Sequence, residues 1–151
     1  MQVEWKTIES IAQTQAIDLW ILFPLGTVNR LLKRNGEIRP ALRTRLDLFF
    51  GESDWYEVFY QVAKQISLFD EEQWQKTGDI FVTIEQYFIQ RLQGIFKGVA
   101  TNPLPLRNSK NVPLYLLCFA AGNQRGAPIA VKIAQEILEG MQNPPQLTLL
   151  G

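Results

Sequence analysis

Residues 18–26, Asp-Leu-Trp-Ile-Leu-Phe-Pro-Leu-Gly, run directly into Thr27-Val-Asn-Arg-Leu-Leu32, and this stretch decides the fold class. Residues 17–23 are too few for an independent helix, β-favouring, and apolar on both faces apart from Asp18. That is the pattern of a central parallel strand. Pro24 and Gly26 then make a tight turn, and a short helix opening at Gly26 or Thr27 carries Asn29 and Arg30 in its first turn. Asn35-Gly36 stops it by offering the left-handed conformation. In an open α/β sheet, the turn after such a strand lines the ligand crevice.

Upstream, Trp5, Ile8, Ile11 and Ala12 form a helical stripe over residues 5–14. Downstream, Pro40 suits the first turn of a helix running to about Phe50, with Leu42, Leu46 and Phe49 inward and Gly51 at its end. Ser53 or Asp54 caps a helix holding Trp55, Val58, Phe59 and Val62 on one face. Asp70 to Gln73 has the form of a capping box, and residues 76–79 read as a loop. Residues 80–96 give a long amphipathic helix with Ile84, Tyr87, Phe88, Arg91, Leu92 and Ile95 at helical spacing. Residues 99–106 hold two prolines and suit an edge strand. The turn formers 108–111 join them as a hairpin to a second buried strand at 114–121. Pro128 starts a last helix expected to bury Ile129, Ile133, Ile137 and Leu138. One parallel strand plus a terminal antiparallel hairpin, with a helix-rich insertion between them, makes an α/β fold. Its sheet needs further pairing partners. The expected division is a partial domain over 1–140 and a flexible tail over 141–151.

At 151 residues the chain suffices for one domain. Fifteen basic and fifteen acidic side chains cancel, so no global field draws it to nucleic acid or membrane. No apolar run is long enough to span a bilayer, and the N-terminal residues do not form a signal peptide. A single cysteine, Cys118, precludes an internal disulfide and fits a reducing cytoplasm, the expected location. The absence of histidine removes Ser-His-Asp and Cys-His catalysis, and metal sites are expected to be none.

Four motifs occur in order: Leu22-Phe-Pro-Leu-Gly26 with Asn29-Arg30, Phe50-Gly51 with Asp54-Trp55, Tyr87 with Arg91-Leu92, and Pro113-Leu-Tyr115 with Phe119-Ala120 and Asn123. Together they resemble the three-Cys-motif partner protein family (TcmP), over nearly all of this chain but only the C-terminal half of a family member. The resemblance implies the second half of a class I methyltransferase-like, Rossmann-like doubly wound domain. It implies a component of a nucleic-acid-associated system whose partner is a three-Cys-motif protein. S-adenosylmethionine is the cofactor implied for a complete relative. This chain lacks the glycine-rich first turn and the acidic ribose ligand, so no cofactor-binding residue is expected in it, nor catalysis by it alone. The alternatives are a non-enzymatic docking module and a helical interaction protein that self-associates through unpaired strand edges.

The residues themselves offer three substrate-side groups. Pro24, Gly26, Asn29 and Arg30 would floor a cleft, with Arg30 reaching a phosphate and Asn29 a base or carboxamide. The bland reading is a turn whose Pro and Gly set dihedrals. Tyr56 and Tyr60, one turn apart, could stack on a base, whereas Trp55 and Phe59 belong to the core. Asn123 and Arg125 precede the last helix, whose N-terminus could receive an anion; an ordinary polar loop is the alternative. Six basic residues between Arg30 and Arg45 face one acid, Glu37, and could track a nucleic-acid backbone. A solvated face with Arg43 paired to Asp47 explains them more simply.

Overall fold

A computed structural model describes residues 3–32, 38–67 and 79–142, with the main chain alone at 31–32, 62–67 and 79. It is a mixed α/β fold with six helices and four strands among the described residues. Helix α1 (Trp5–Gln13) leads into β1 (Leu19–Phe23) and α2 (Leu25–Leu32). Three helices follow: α3 (Pro40–Phe50), α4 (Asp54–Ser67) and α5 (Asp79–Gln93). Short strands β2 (Gly98–Val99) and β3 (Leu104–Arg107) precede the long β4 (Pro113–Ala121) and the final helix α6 (Ala127–Gln142). The capping box expected at Asp70–Gln73, the stop at Asn35-Gly36 and the loop at 76–78 lie outside the described residues. Of the tail expected over 141–151, residues 141 and 142 belong to α6 and 143–151 lie outside the described residues.

All pairing in the open sheet is antiparallel and passes through β4, which takes β1 on one side and β2 and β3 on the other. The expected hairpin is β3–β4, closed by Asn108, whose Oδ1 accepts from the backbone N–H groups of Lys110 and Val112. Residues 17–23, read as a central parallel strand, instead give an edge strand paired antiparallel with β4, Leu19 opposite Ala120 and Phe23 opposite Leu116. The apolar alternation carries no information about partner direction, which nonlocal contacts decide. A Rossmann-like sheet is not assembled from these four strands alone.

The two sheet faces are covered unequally. On one, Leu19, Ile21 and Phe23 of β1 join Leu116, Cys118 and Ala120 of β4 beneath helices α1 to α5. Phe23 is the hub: its ring lies 4.4 Å from Phe88, 5.5 Å from Phe49 and 6.0 Å from Phe50. Rings so close add edge and offset contacts to the area they bury. Among the described residues only α6 packs on the other face, and it uses Ala127, Ala134 and Leu138 against Ala100, Leu104, Phe119 and Ala121.

That packing corrects one expectation. Leu138 is buried, but Ile129, Ile133 and Ile137 are exposed. Alanines let the helix axis approach the sheet closely, which turns the adjacent isoleucine row outward.

Helix ends follow their local chemistry. Pro40 opens α3 at its first turn. Gly51 closes it at φ +75°, and an added Cβ there would lie 2.2 Å from Trp5 Cδ1. Only glycine meets both the dihedral and the space. Among the described residues no helix is long and apolar enough to cross a membrane.

Candidate functional site

Proline 24 ends β1, and the backbone of α2 begins at once, with Val28 N–H donating to Pro24 C=O. Gly26 sits against the start of β4; a Cβ there would lie 3.0 Å from the Pro113 carbonyl oxygen. The glycine thus serves close approach of α2 to the sheet. Arg30 is exposed, and its Nη2 donates weakly to Thr27 Oγ1 at 3.5 Å. Among the described residues it pairs with no carboxylate, which leaves donors for an anion. Asn29 differs from its expected role: it is 5% exposed, and its buried Oδ1 has no hydrogen-bond partner among the described residues. A base or carboxamide in solvent does not reach it in this chain.

The loop that holds Asn123 and Arg125 is elsewhere. Because β4 runs antiparallel to β1, its end at Ala121 lies beside the start of β1, where Gly122 N–H donates to Asp18 Oδ1 at 3.3 Å. The 24–30 turn and the 123–126 loop therefore occupy opposite ends of the sheet and do not share a cleft. Asn123 is occupied structurally: its Oδ1 accepts from Arg125 N–H at 2.9 Å and Gly126 N–H at 3.2 Å, and its carbonyl accepts from Ala127 N–H. Such an Asx turn shapes the entry into α6. Arg125 projects into solvent.

Tyr56 and Tyr60 stack on one another, centroids 5.7 Å apart and planes within 6°. Arg43 lies 4.0 Å over the Tyr56 ring. The expected Arg43–Asp47 pair is replaced by this contact and by a 2.8 Å hydrogen bond from Trp55 Nε1 to Asp47 Oδ1. A ring already capped by its own cation offers one face fewer to a base. The turn and the loop are thus separate places at opposite ends of the sheet, and the tyrosine pair belongs to α4.

Two clusters carried little sequence signal. One joins Arg91, Glu52, Tyr87 and Trp5. Arg91 donates through Nε and Nη2 to the Phe50 carbonyl, at 3.0 and 2.7 Å, and pairs with Glu52 at 3.5 Å. Its guanidinium also lies 4.5 Å over Trp5, and Tyr87 Oη donates to Glu52 Oε1. Burial, reinforced by the Glu52 carboxylate, pushes the Tyr87 hydroxyl far above the ordinary phenol range. The cluster caps the C-terminal end of α3, where an orphan carbonyl needs a donor. The signal was Tyr87 and Arg91, polar groups four apart inside an apolar helical stripe.

The other is a groove of about 270 Å³ lined by Lys97, Gly98, Gln124, Pro128, Lys132 and Gln135 among others. Three elements contribute to it, which no single motif reveals. Cys118 is fully buried, and burial pushes its thiol well above the usual range, so it is an unreactive core group. Among the described residues no group of three metal-ligating side chains occurs. Compared with protein-family models, with curated proteins and with solved structures, the chain finds no match.

Proposed function

We propose that this chain forms the sheet-closing, C-terminal portion of a methyltransferase-like domain similar to three-Cys-motif partner proteins. Its contribution is on the substrate side, at the turn between β1 and α2. The observation that carries the reading is the state of β1. It has α2 directly behind it and the antiparallel strand of the terminal hairpin on one edge, and the other edge is unpaired among the described residues. The strands that the resemblance assigns to an upstream half would pair there. Exposed Arg30 beside Pro24 and Gly26 then stands at the mouth of the completed crevice, positioned for a phosphate or other anion.

The residues present do not fit S-adenosylmethionine. The strand-to-helix turn has one glycine, and its Cα faces the Pro113 carbonyl rather than an open cradle. Donors for a ribose or an adenine would have to come from the upstream half. A non-enzymatic docking module working with a three-Cys-motif protein is the second reading, favoured by the exposed isoleucine row of α6.

The test joins this chain to the coding sequence that adjoins it upstream and measures S-adenosylmethionine binding by calorimetry. Saturable binding by the joined protein and none by the 151-residue chain is the expected result. Binding by the chain alone, or by neither, would overturn the methyltransferase-like assignment. In the joined protein, Arg30→Ala should leave the melting temperature unchanged and weaken binding of a short single-stranded oligonucleotide.

A further inference from the structure

Among the described residues, the sheet face beneath α6 is only half covered. Trp20 and Leu22 of β1 stand on it at 43% and 57% exposure, beside Tyr115 of β4 at 46%. Facing residues in the antiparallel register share a side, so Trp20 and Leu22 lie in the same layer as Phe119 and Leu117. Helix α6 packs over β4, β2 and β3, and its Gln135 flank is tied to the β2–β3 loop, donating to Thr101 Oγ1 and accepting from Asn102 Nδ2. The opposite flank therefore overlooks β1. On it stand Ile129, Ile133, Ile137 and Met141 at intervals of four, exposed by 67, 51, 47 and 50%.

The flank and the β1 shelf form the wall and floor of one uncharged groove, continuous with the open edge of β1. With roughly 200 Å² for a large apolar side chain, seven that are about half exposed present on the order of 700 Å². That exceeds the ~300–600 Å² of the largest patch on a typical monomer and approaches the ~800 Å² per partner of a stable interface.

A second copy does not fill this groove. Pairing β1 with β1 across a two-fold axis would leave the two α6 helices roughly four strand spacings, ~19 Å, apart, against the 8–10 Å of packed helices. Both isoleucine rows would stay bare. Stacking the two faces would press the exposed Lys132, Glu136 and Glu139 onto the apolar shelf, and unpaired charge resists that burial.

The geometry points to a strand–helix unit of another polypeptide segment as the occupant. Its strand extends the sheet at β1, and its helix, apolar and uncharged on one face, lies over Trp20 and Leu22 against the α6 row. This names the attachment surface of the function proposed above and rests on that reading for the source of the unit. The experiment involves neither cofactor nor nucleic acid, so the two can fail separately.

The probe is a fluorescein-labelled helical peptide with leucines at i, i+3, i+4 and i+7 and glutamines elsewhere, titrated into the 151-residue chain by anisotropy, with sedimentation run in parallel. Saturable binding to a monomer is expected. The double substitution Ile133→Lys and Ile137→Lys should weaken it at least tenfold, whereas Val82→Lys, at an exposed apolar position on α5, should leave it unchanged. Both are surface sites, and matching circular-dichroism melts verify the fold of each variant. Absent binding, or equal loss with Val82→Lys, would overturn the proposal. So would a discrete dimer that the double substitution dissociates, which would make a second copy the occupant.

Discussion

Arg91 shows how one side chain can hold three segments together. Its two donors close the end of α3, its plane lies on Trp5 of α1, and its charge meets Glu52 in the α3–α4 turn. Arg91→Ala removes a charge-assisted pair and leaves the Phe50 carbonyl without its donors, so a loss of about 2–3 kcal/mol is expected in urea unfolding. Arg91→Lys should recover less than half, because an ammonium lacks the fork. Tyr87 in the same cluster gives a pH signature. The folded state holds its proton where the unfolded chain, with a phenol pKa of about 10, releases it. The contribution is complete below that pH and falls away above it. Tyr87→Phe should flatten this alkaline slope in denaturation curves taken from pH 9 to 11. The motif containing Tyr87 and Arg91 was visible in the sequence, but its geometry ties it to the cap of α3 rather than to a ligand.

At the scale of elements, the sequence made β1, β4 and most helices legible, because their signals are local, whereas the single edge strand expected over 99–106 divides into β2 and β3. Apolar runs gave β1 and β4, Pro40 and Gly51 bracketed α3, and the turn formers announced the β3–β4 hairpin. Direction and facing were not legible. A two-residue period is the same for parallel and antiparallel neighbours, and in α6 the large isoleucines outweighed the alanines that in fact touch the sheet. The separation of the 24–30 turn from the 123–126 loop was hidden for the same reason, since antiparallel pairing sends those connections to opposite ends. The pairing has a measurable consequence. Amides of β4, bonded on both sides, should exchange with deuterium most slowly in the sheet. Alternate amides of β1, directed to its open edge, should exchange orders of magnitude faster. Uniform protection along β1 would mean that the edge is covered in solution.

Across the whole molecule two apolar clusters lie back to back on one strand, Leu116 and Cys118 serving one, Phe119 and Ala121 the other. Neither can open without loosening β4, so unfolding should be a single transition. Near-ultraviolet circular dichroism, dominated by buried Trp5 and Trp55, should coincide with far-ultraviolet loss of helix during heating. Two separated midpoints would show that the α6 layer melts on its own.

The shared strand also sets an order of events during synthesis. β4 lies past residue 112, so β1, made some ninety residues earlier, waits for this antiparallel neighbour until almost the whole described chain has left the ribosome. Helices α1 to α5 meanwhile carry their aromatic faces without a floor. Closing loops of that length slows the search for the native pairing, and the waiting chain exposes the surfaces that aggregate. A holding chaperone present during synthesis should therefore raise the yield of folded chain.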